Sequence, residues 1–372
     1  MKSVYFVTQF FPPVDAERQT GGIISNRNFL RCVARDYDVT VLSFDYDADS
    51  TKFADEPYRV VCRPAPRWRA PGLLLNWQEF VRQNTQTLLG TAEHPDFLVA
   101  TTSTLSAFDA APTQTKCVAV VQAFENFGFR CPWVPLQTRV KLMKGALLRR
   151  FADVRQMRHA DGVLTNSTFM SAAITSRFVI PSERIHVLRQ QIGFSPAIQN
   201  PPQNTVGFVH RGPDKNIAHV VDLARNAPDL TFLVYGHESE LPVDIPDNMS
   251  VVGWTSDRAS MFASARLWLV PSLWAEPFGR VSIEAQAAGR AVLVANRGGL
   301  SETVVDPRYL IDGFETDAWL NRIRILLSLD DTELAKASDK IKKTFSAEAH
   351  DESIRSAIET IKKTQTGPKN DI

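Results

Sequence analysis

Short apolar runs alternate along this chain with longer stretches whose apolar residues recur every three or four positions. SVYFVTQ, DVTVLSF, YRVVC, DFLVATT, CVAVVQA and GVLTNS in the first half each read as a buried strand. Between them lie stretches such as GIISNRNFLRCVAR, in which Asn26, Phe29, Leu30 and Val33 share one helical face. The pattern breaks in ERIHVLRQQIGFSPAIQNPPQN, rich in Pro, Asn and Gln, and restarts with TVGFVH, TFLVYG, MSVVGW, RLWLVPS and AVLVAN. Strands alternating with helices predict an α/β protein whose parallel sheets carry helices on both faces. The expected organisation is a Rossmann-like domain over 1–197 and a second over 198–347. A C-terminal helix over 348–364, free to pack back on the first domain, and a disordered tail over 365–372 complete it. The strand-to-helix loops of both sheets would face a central cleft.

Composition agrees with that division. At 372 residues, 44% hydrophobic and 22% charged, the chain suits two soluble domains rather than one. MKSVYFVTQFFPP is read as a first buried strand rather than a secretion signal, because Gln9 breaks it and two prolines follow. No run reaches the 18 or so apolar residues of a membrane span. Cys32, Cys62, Cys117 and Cys131 have neither zinc nor disulfide-framework spacing, which favours a reducing cytoplasm. The net charge of +1 hides an asymmetry: 23 basic against 17 acidic residues over 1–195, and 19 against 24 over 196–372. Residues 136–159 hold much of the surplus, with Arg139, Lys141, Lys144, Arg149, Arg150, Arg155 and Arg158 against Asp153 alone.

Candidate chemistry starts with exclusions. No G-x-G-x-x-G follows a strand and no G-x-x-x-x-G-K-[ST] exists, which disfavours a dinucleotide dehydrogenase and a P-loop NTPase. Gly21–Gly22 precede the first predicted helix, where free amides and the helix dipole attract an anion; a plain tight turn is the other reading. Arg211 and Lys215 stand four apart on the loop after TVGFVH and suit a diphosphate, the Arg by its fork and the Lys as a point charge. In the stretch EPFGRVSIEAQAAG, a helix is expected to start near Gly279. The amides of Phe278, Gly279, Arg280 and Val281 could then hold a phosphate or a sugar hydroxyl. Glu276 lies before that helix and Glu284 inside it, both placed as acceptors for a ligand's hydroxyls.

EPFGRVSIEAQAAG followed by VANRGGLSETV resembles the E-x7-E donor-site signature of glycosyltransferase family 4, a family of GT-B fold. ADGVLTNSTFMSAAI, VGFVHRGPDKNI and VVGWTSDRASMFASARLWLVPS are similar to further segments of that family in the same order. The resemblance is good over about 155–350 and loose over the first third of the chain. It implies a retaining transferase that needs no metal or other cofactor. Glu276 would contact the transferred sugar, with Phe278 and Gly279 offering amides there. Glu284 would hold the ribose, and Arg211 and Lys215 would neutralise the diphosphate, with Gly22 closing on it. The donor is then a nucleotide-diphosphate sugar, and the acceptor a glycan or lipid-linked glycan of polysaccharide or lipopolysaccharide assembly. Three positions depart from the family pattern. VVQAFENFG lacks the usual histidine, which leaves Glu125 and Asn126 as acceptor-side candidates. Asn216 replaces a glycine. Arg280 replaces an apolar residue and reads as a contact to an extra donor charge or, more simply, as a salt bridge to a surface acid.

Between Leu136 and His159, Val140, Met143, Leu147, Phe151 and Val154 fall at near-helical spacing with cations on their flanks. Such a helix suits an anionic membrane surface, which places the protein in the cytoplasm or on the inner face of a membrane; packing on the first sheet is the alternative for its apolar side. Nucleic acid is disfavoured by the small net charge and the lack of a recognition motif. A non-catalytic scaffold of the same fold, binding nucleotide sugar or membrane, is the competing reading. An epimerase or phosphorylase is a third, and the chain offers a phosphorylase no cofactor lysine.

Overall fold

The computed structural model describes residues 2–14, 20–45, 49–65, 73–90, 94–125, 127, 154–193, 201–236 and 244–364. The first sheet contains β1 (Ser3–Thr8), β2 (Asp38–Ser43), β3 (Arg59–Cys62), β4 (Phe97–Thr101), β5 (Lys116–Val120), β6 (Gly162–Thr165) and β7 (Ile185–Val187), in the order β3-β2-β1-β4-β5-β6-β7. The second contains β8 (Thr205–Val209), β9 (Thr231–Tyr235), β10 (Met249–Val251), β11 (Leu267–Val270), β12 (Ala291–Ala295) and β13 (Leu310–Ile311), in the order β10-β9-β8-β11-β12-β13. Every pairing in both sheets is parallel. Both orders reverse direction once, between β1 and β4 in the first sheet and between β8 and β11 in the second. Loops at the carboxyl ends of those strand pairs diverge and leave a crevice, where open α/β sheets hold their ligands.

Helices on both faces explain why the strands read as apolar runs without alternation: β6, β11 and β12 are buried at every position. The two strands with no counterpart in the sequence reading, β7 and β13, are short edge strands of three and two residues. Too few residues lie in each to show a period. On the helix Gly21–Val33, Phe29, Leu30 and Val33 are buried against β1, β2 and β4 as expected, while Asn26 is only half-buried.

By contacts, the described residues before Gln190, together with those from His350 on, form one compact unit; Gln190–Ala349 forms the other. The helix Ala347–Lys363 therefore adds Ile354, Ala357 and Ile361 to the core built on Val4, Phe29, Val33, Val118 and Leu164. Ile361 lies directly on Gly162 of β6, where an added Cβ would come within 2.5 Å of its Cδ1. The same helix is tied down at its start, where Ser353 Oγ accepts from the Arg189 amide at 3.2 Å and Asp351 pairs with Arg35. The core of the other unit gathers Phe208, Phe232, Leu269, Leu293, Trp268 and Trp319. A smaller apolar group, Phe278, Ile283, Ala287, Ile341 and Phe345, anchors the helix Arg280–Ala287. The expected tail at 365–372 lies outside the described residues.

Candidate functional site

The loop after β8 runs from His210 to Asn216. Gly212 has φ +97° and Asn216 φ +64°, the left-handed region that glycine and then asparagine adopt most readily. That is the reason Asn216 can stand where a glycine is usual. The loop after β11 carries Ser272, Trp274 and Glu276, and the two loops are joined by a bond from the Leu273 amide to the Asp214 carbonyl at 2.9 Å. Lys215 pairs with Glu276, and Ser272 donates its hydroxyl to Glu276 Oε1 at 2.6 Å.

Glu276 is only 5% exposed. Burial alone would push its carboxyl up. The Lys215 charge, with hydrogen bonds from Lys215, Ser272 and Trp274, outweighs burial and holds it below the usual glutamate range. Its backbone is equally fixed: Gly299 donates to the Glu276 carbonyl at 2.7 Å, and Glu276 forms a parallel bridge with Gly298. Gly298, at φ +63°, leaves no room for a side chain, since a Cβ would fall 2.4 Å from the Glu276 carbonyl oxygen. Gly279 has φ +117°, and a Cβ there would fall 2.4 Å from Leu300 Cδ2. These glycines let the segment after β12 press against the loop that holds Glu276 and fix its position.

Arg280 opens the next helix, one residue later than the expected start near Gly279, and Phe278 buries its ring against Phe345. Val281 packs half-buried on the main core of this unit. Glu284, 1% exposed, lies between two guanidinium groups. Arg258 binds Oε2, and Arg280 donates to Oε1 at 3.1 Å through Nε. Arg280 also donates to the Gln191 carbonyl at 3.1 Å. The acid that Arg280 meets is thus a buried one, not the surface acid expected. Burial depresses the Arg280 pKa, Glu284 opposes that shift, and Arg258 adds to it. Arg211 lies over the Trp254 ring, with Cζ 3.8 Å from the centroid.

Four residues of this site, Arg258, Trp254, Ser272 and Trp274, were not singled out by sequence. Arg258 and Trp254 fall within VVGWTSDRASM, a stretch that pattern alone marks as a strand end and a helix start. Arg258 follows Asp257, whose carboxylate accepts from Ser260 and caps the helix Arg258–Ala263.

In the other unit, Gly21 and Gly22 form the first turn of the helix Gly21–Val33 rather than precede it, and Thr20 caps it through Oγ1 to the Ile23 amide. A Cβ on Gly22 would lie 3.1 Å from Gln122 Oε1, and Gln122 donates to Asn26 at 3.1 Å. Thr101 bonds to Thr8 and Thr104, and Thr104 to the Val7 carbonyl. Glu125 is exposed and accepts from Thr102 Oγ1 at 3.4 Å. Asn126 lies outside the described residues. Of the basic segment 136–159 only 154–159 is described; it is helical, with Met157 buried and Arg158 bonded to the Phe178 carbonyl. Among the described residues, no helix is long and apolar enough to cross a membrane, and no three His, Cys, Asp or Glu side chains gather as metal ligands.

Residues 194–344 match the Glycosyl transferases group 1 family and residues 25–190 the Glycosyl transferase 4-like domain. A D-inositol 3-phosphate glycosyltransferase of Mycobacterium sp. (strain JLS) is 28% identical over 229 residues, 54% of this chain. The match spans 52% of that relative, so the chain aligns with about half its length. Among solved structures, Anabaena Alr3699/HepE in complex with UDP-glucose superposes at a TM-score of 0.69 and 18% identity, over 97% of this chain and all of that one. WaaG, a glycosyltransferase involved in lipopolysaccharide biosynthesis, superposes at 0.64 and 16% identity, over 95% and 98%. The fold is GT-B.

Proposed function

We propose that this chain, a GT-B protein built of the two glycosyltransferase domains just matched, is a retaining glycosyltransferase. It moves a sugar from a nucleotide-diphosphate sugar to a glycan acceptor, and needs no metal. The observation that carries this reading is the meeting of Lys215 with buried Glu276 at the crevice between β8 and β11, on the loop that also bears Arg211. Two cations on one loop suit the charge that grows on a departing diphosphate. A carboxylate fixed among donors suits sugar hydroxyls. Preorganised groups of this kind are each worth about 100- to 1000-fold in rate.

The step is a substitution. The bond from the anomeric carbon to the β-phosphate oxygen breaks, and the acceptor oxygen bonds to that carbon on the same face. The acceptor's proton passes to the departing phosphate, and Arg211 and Lys215 take up the charge. Glu276 orients the transferred sugar, the amides of Phe278 and Gly279 assist, and Glu284 accepts from the ribose. The structural relatives, one in complex with UDP-glucose and one involved in lipopolysaccharide biosynthesis, support a UDP-sugar donor and a lipid-linked glycan acceptor.

The first test is slow hydrolysis of a panel of nucleotide sugars by the purified chain, read by product mass with and without EDTA. One donor consumed equally in both conditions supports the reading and identifies sugar and base. No donor consumed, and no nucleotide bound, would favour a scaffold. The membrane part of the proposal is that 136–159 holds the protein on an anionic surface. Replacing Lys144, Arg149 and Arg150 by Ser should weaken binding to phosphatidylserine vesicles in a salt-dependent way, by about 1 kcal/mol per cation. Wild-type protein that ignores such vesicles would end that part.

A further inference from the structure

We infer that Trp254 is a positioning residue for Arg211, a role that rests on the reading of Arg211 as a diphosphate ligand. Arg211 sits on an exposed loop, and a long side chain there loses rotamer freedom when it engages an anion. The Trp254 ring, 3.8 Å from its Cζ, removes that freedom beforehand. Stacking engages the face of a guanidinium, whereas its N–H donors lie in the plane and point outward at the rim of the stack. A stacked Arg211 therefore presents a fixed fork of the kind that matches phosphate oxygens.

The backbone explains how a residue two strands away reaches Arg211. β9 separates β8 from β10, so the end of β9 must be thin where the segments after β8 and β10 meet. It is thin at Gly236. A Cβ there would fall 2.6 Å from the His210 carbonyl oxygen. The Gly236 amide donates to the Gly253 carbonyl at 3.3 Å, and the His210 amide to the Tyr235 carbonyl at 2.8 Å. Gly253, at φ +88°, then turns the chain into Trp254. The described ends of three neighbouring strands are joined by these backbone contacts, which hold the indole over the guanidinium.

The competing role for Trp254 is as a platform for the donor's base. Pyrophosphate, which has no base, separates the two. Its binding and that of UDP would be measured by calorimetry for the wild-type chain, Arg211→Ala, Trp254→Ala, Trp254→Phe and the double alanine variant. A stack of this kind predicts that Trp254→Ala weakens pyrophosphate about fivefold. Trp254→Phe, which keeps an aromatic face, should stay within about twofold. The double variant should bind no worse than Arg211→Ala alone, because the tryptophan acts only through the arginine. Pyrophosphate binding unchanged in Trp254→Ala, or a Trp254 effect that persists without Arg211, overturns the inference. So does a loss seen with UDP and not with pyrophosphate. Arg211→Ala that binds pyrophosphate like the wild type would instead overturn the role of Arg211, and the functional reading with it.

Discussion

The two sheets reverse strand order in the same way and furnish their crevices with different chemistry. Between β1 and β4 hydroxyls and amides predominate: Thr8, Thr101 and Thr104 bond to one another and to backbone, and Gln122 reaches Asn26 beside Gly22. The charged groups there are exposed Glu125 on Thr102 and Arg27, paired with Glu56, on the Pro12 carbonyl. Between β8 and β11 the groups are charged: Lys215 on Glu276, and nearby Arg258 and Arg280 on Glu284. Topology supplies the place and the loops supply the chemistry. The contrast runs against the charge of the two halves, since the first carries the positive excess and the second the negative one. In the first unit the described crevice is lined mainly by hydroxyls and amides bonded to one another and to backbone. In the second, basic side chains pair around two buried carboxylates, Glu276 and Glu284.

The comparison is broken most directly at Glu276. Replacement by Ala should lower transfer about 100-fold or more while nucleotide binding changes little, as initial rates and calorimetry would read. Undiminished turnover would strip the charged crevice of its catalytic role. Next comes stability. Glu284→Ala leaves two guanidinium groups without their shared carboxylate and should cost about 3–5 kcal/mol in urea unfolding. Gln122→Ala in the first crevice should cost only about 1 kcal/mol. Equal costs would mean that the charged group is no more tightly interlocked than the hydroxyls and amides. The smallest effect concerns pH. The folded-state pKa of Glu276 is lowered, so its contribution to stability is present above the ordinary glutamate value of 4.5 and lost as pH falls toward the folded value. Wild type should therefore lose more stability than Glu276→Gln between about pH 5 and pH 3. Parallel curves would remove Lys215 and Ser272 as the cause of the shift.

Much of the architecture was legible because parallel strands buried on both faces spell out apolar runs. The same logic fails for β7 and β13, which are too short to carry a period. The positions of Glu276, Glu284, Arg211 and Lys215 could be singled out because loops after strands and residues at helix starts have recognisable composition. What those carboxylates touch could not be read. Arg258 lies 26 residues before Glu284 in the chain, and only the packing of one helix start against the middle of another helix brings them together. Trp254 reaches Arg211 across an intervening strand, a relation that local sequence does not express. Arg280 shows the intermediate case: an ion pair was foreseeable from its charge, but the burial of its partner follows from the tertiary fold.

The helix Ala347–Lys363 gives the chain a property of time rather than of shape. The first unit is interrupted after Arg189 and finished only from His350 on, so its core cannot close until the whole of the second unit has been synthesised. The described residues of the second unit all precede that helix's return to the first and are free to fold earlier. Cys32 records the delay. In the finished molecule burial and then Asp351 push its thiol up to about 12, which leaves it protonated and unreactive at physiological pH. A chain stopped at Ala349 lacks that helix and should alkylate at Cys32 about tenfold faster or more at pH 8 than the full chain, as peptide mass mapping would show. Protection of that single thiol is then a clock for the moment at which the first unit becomes whole.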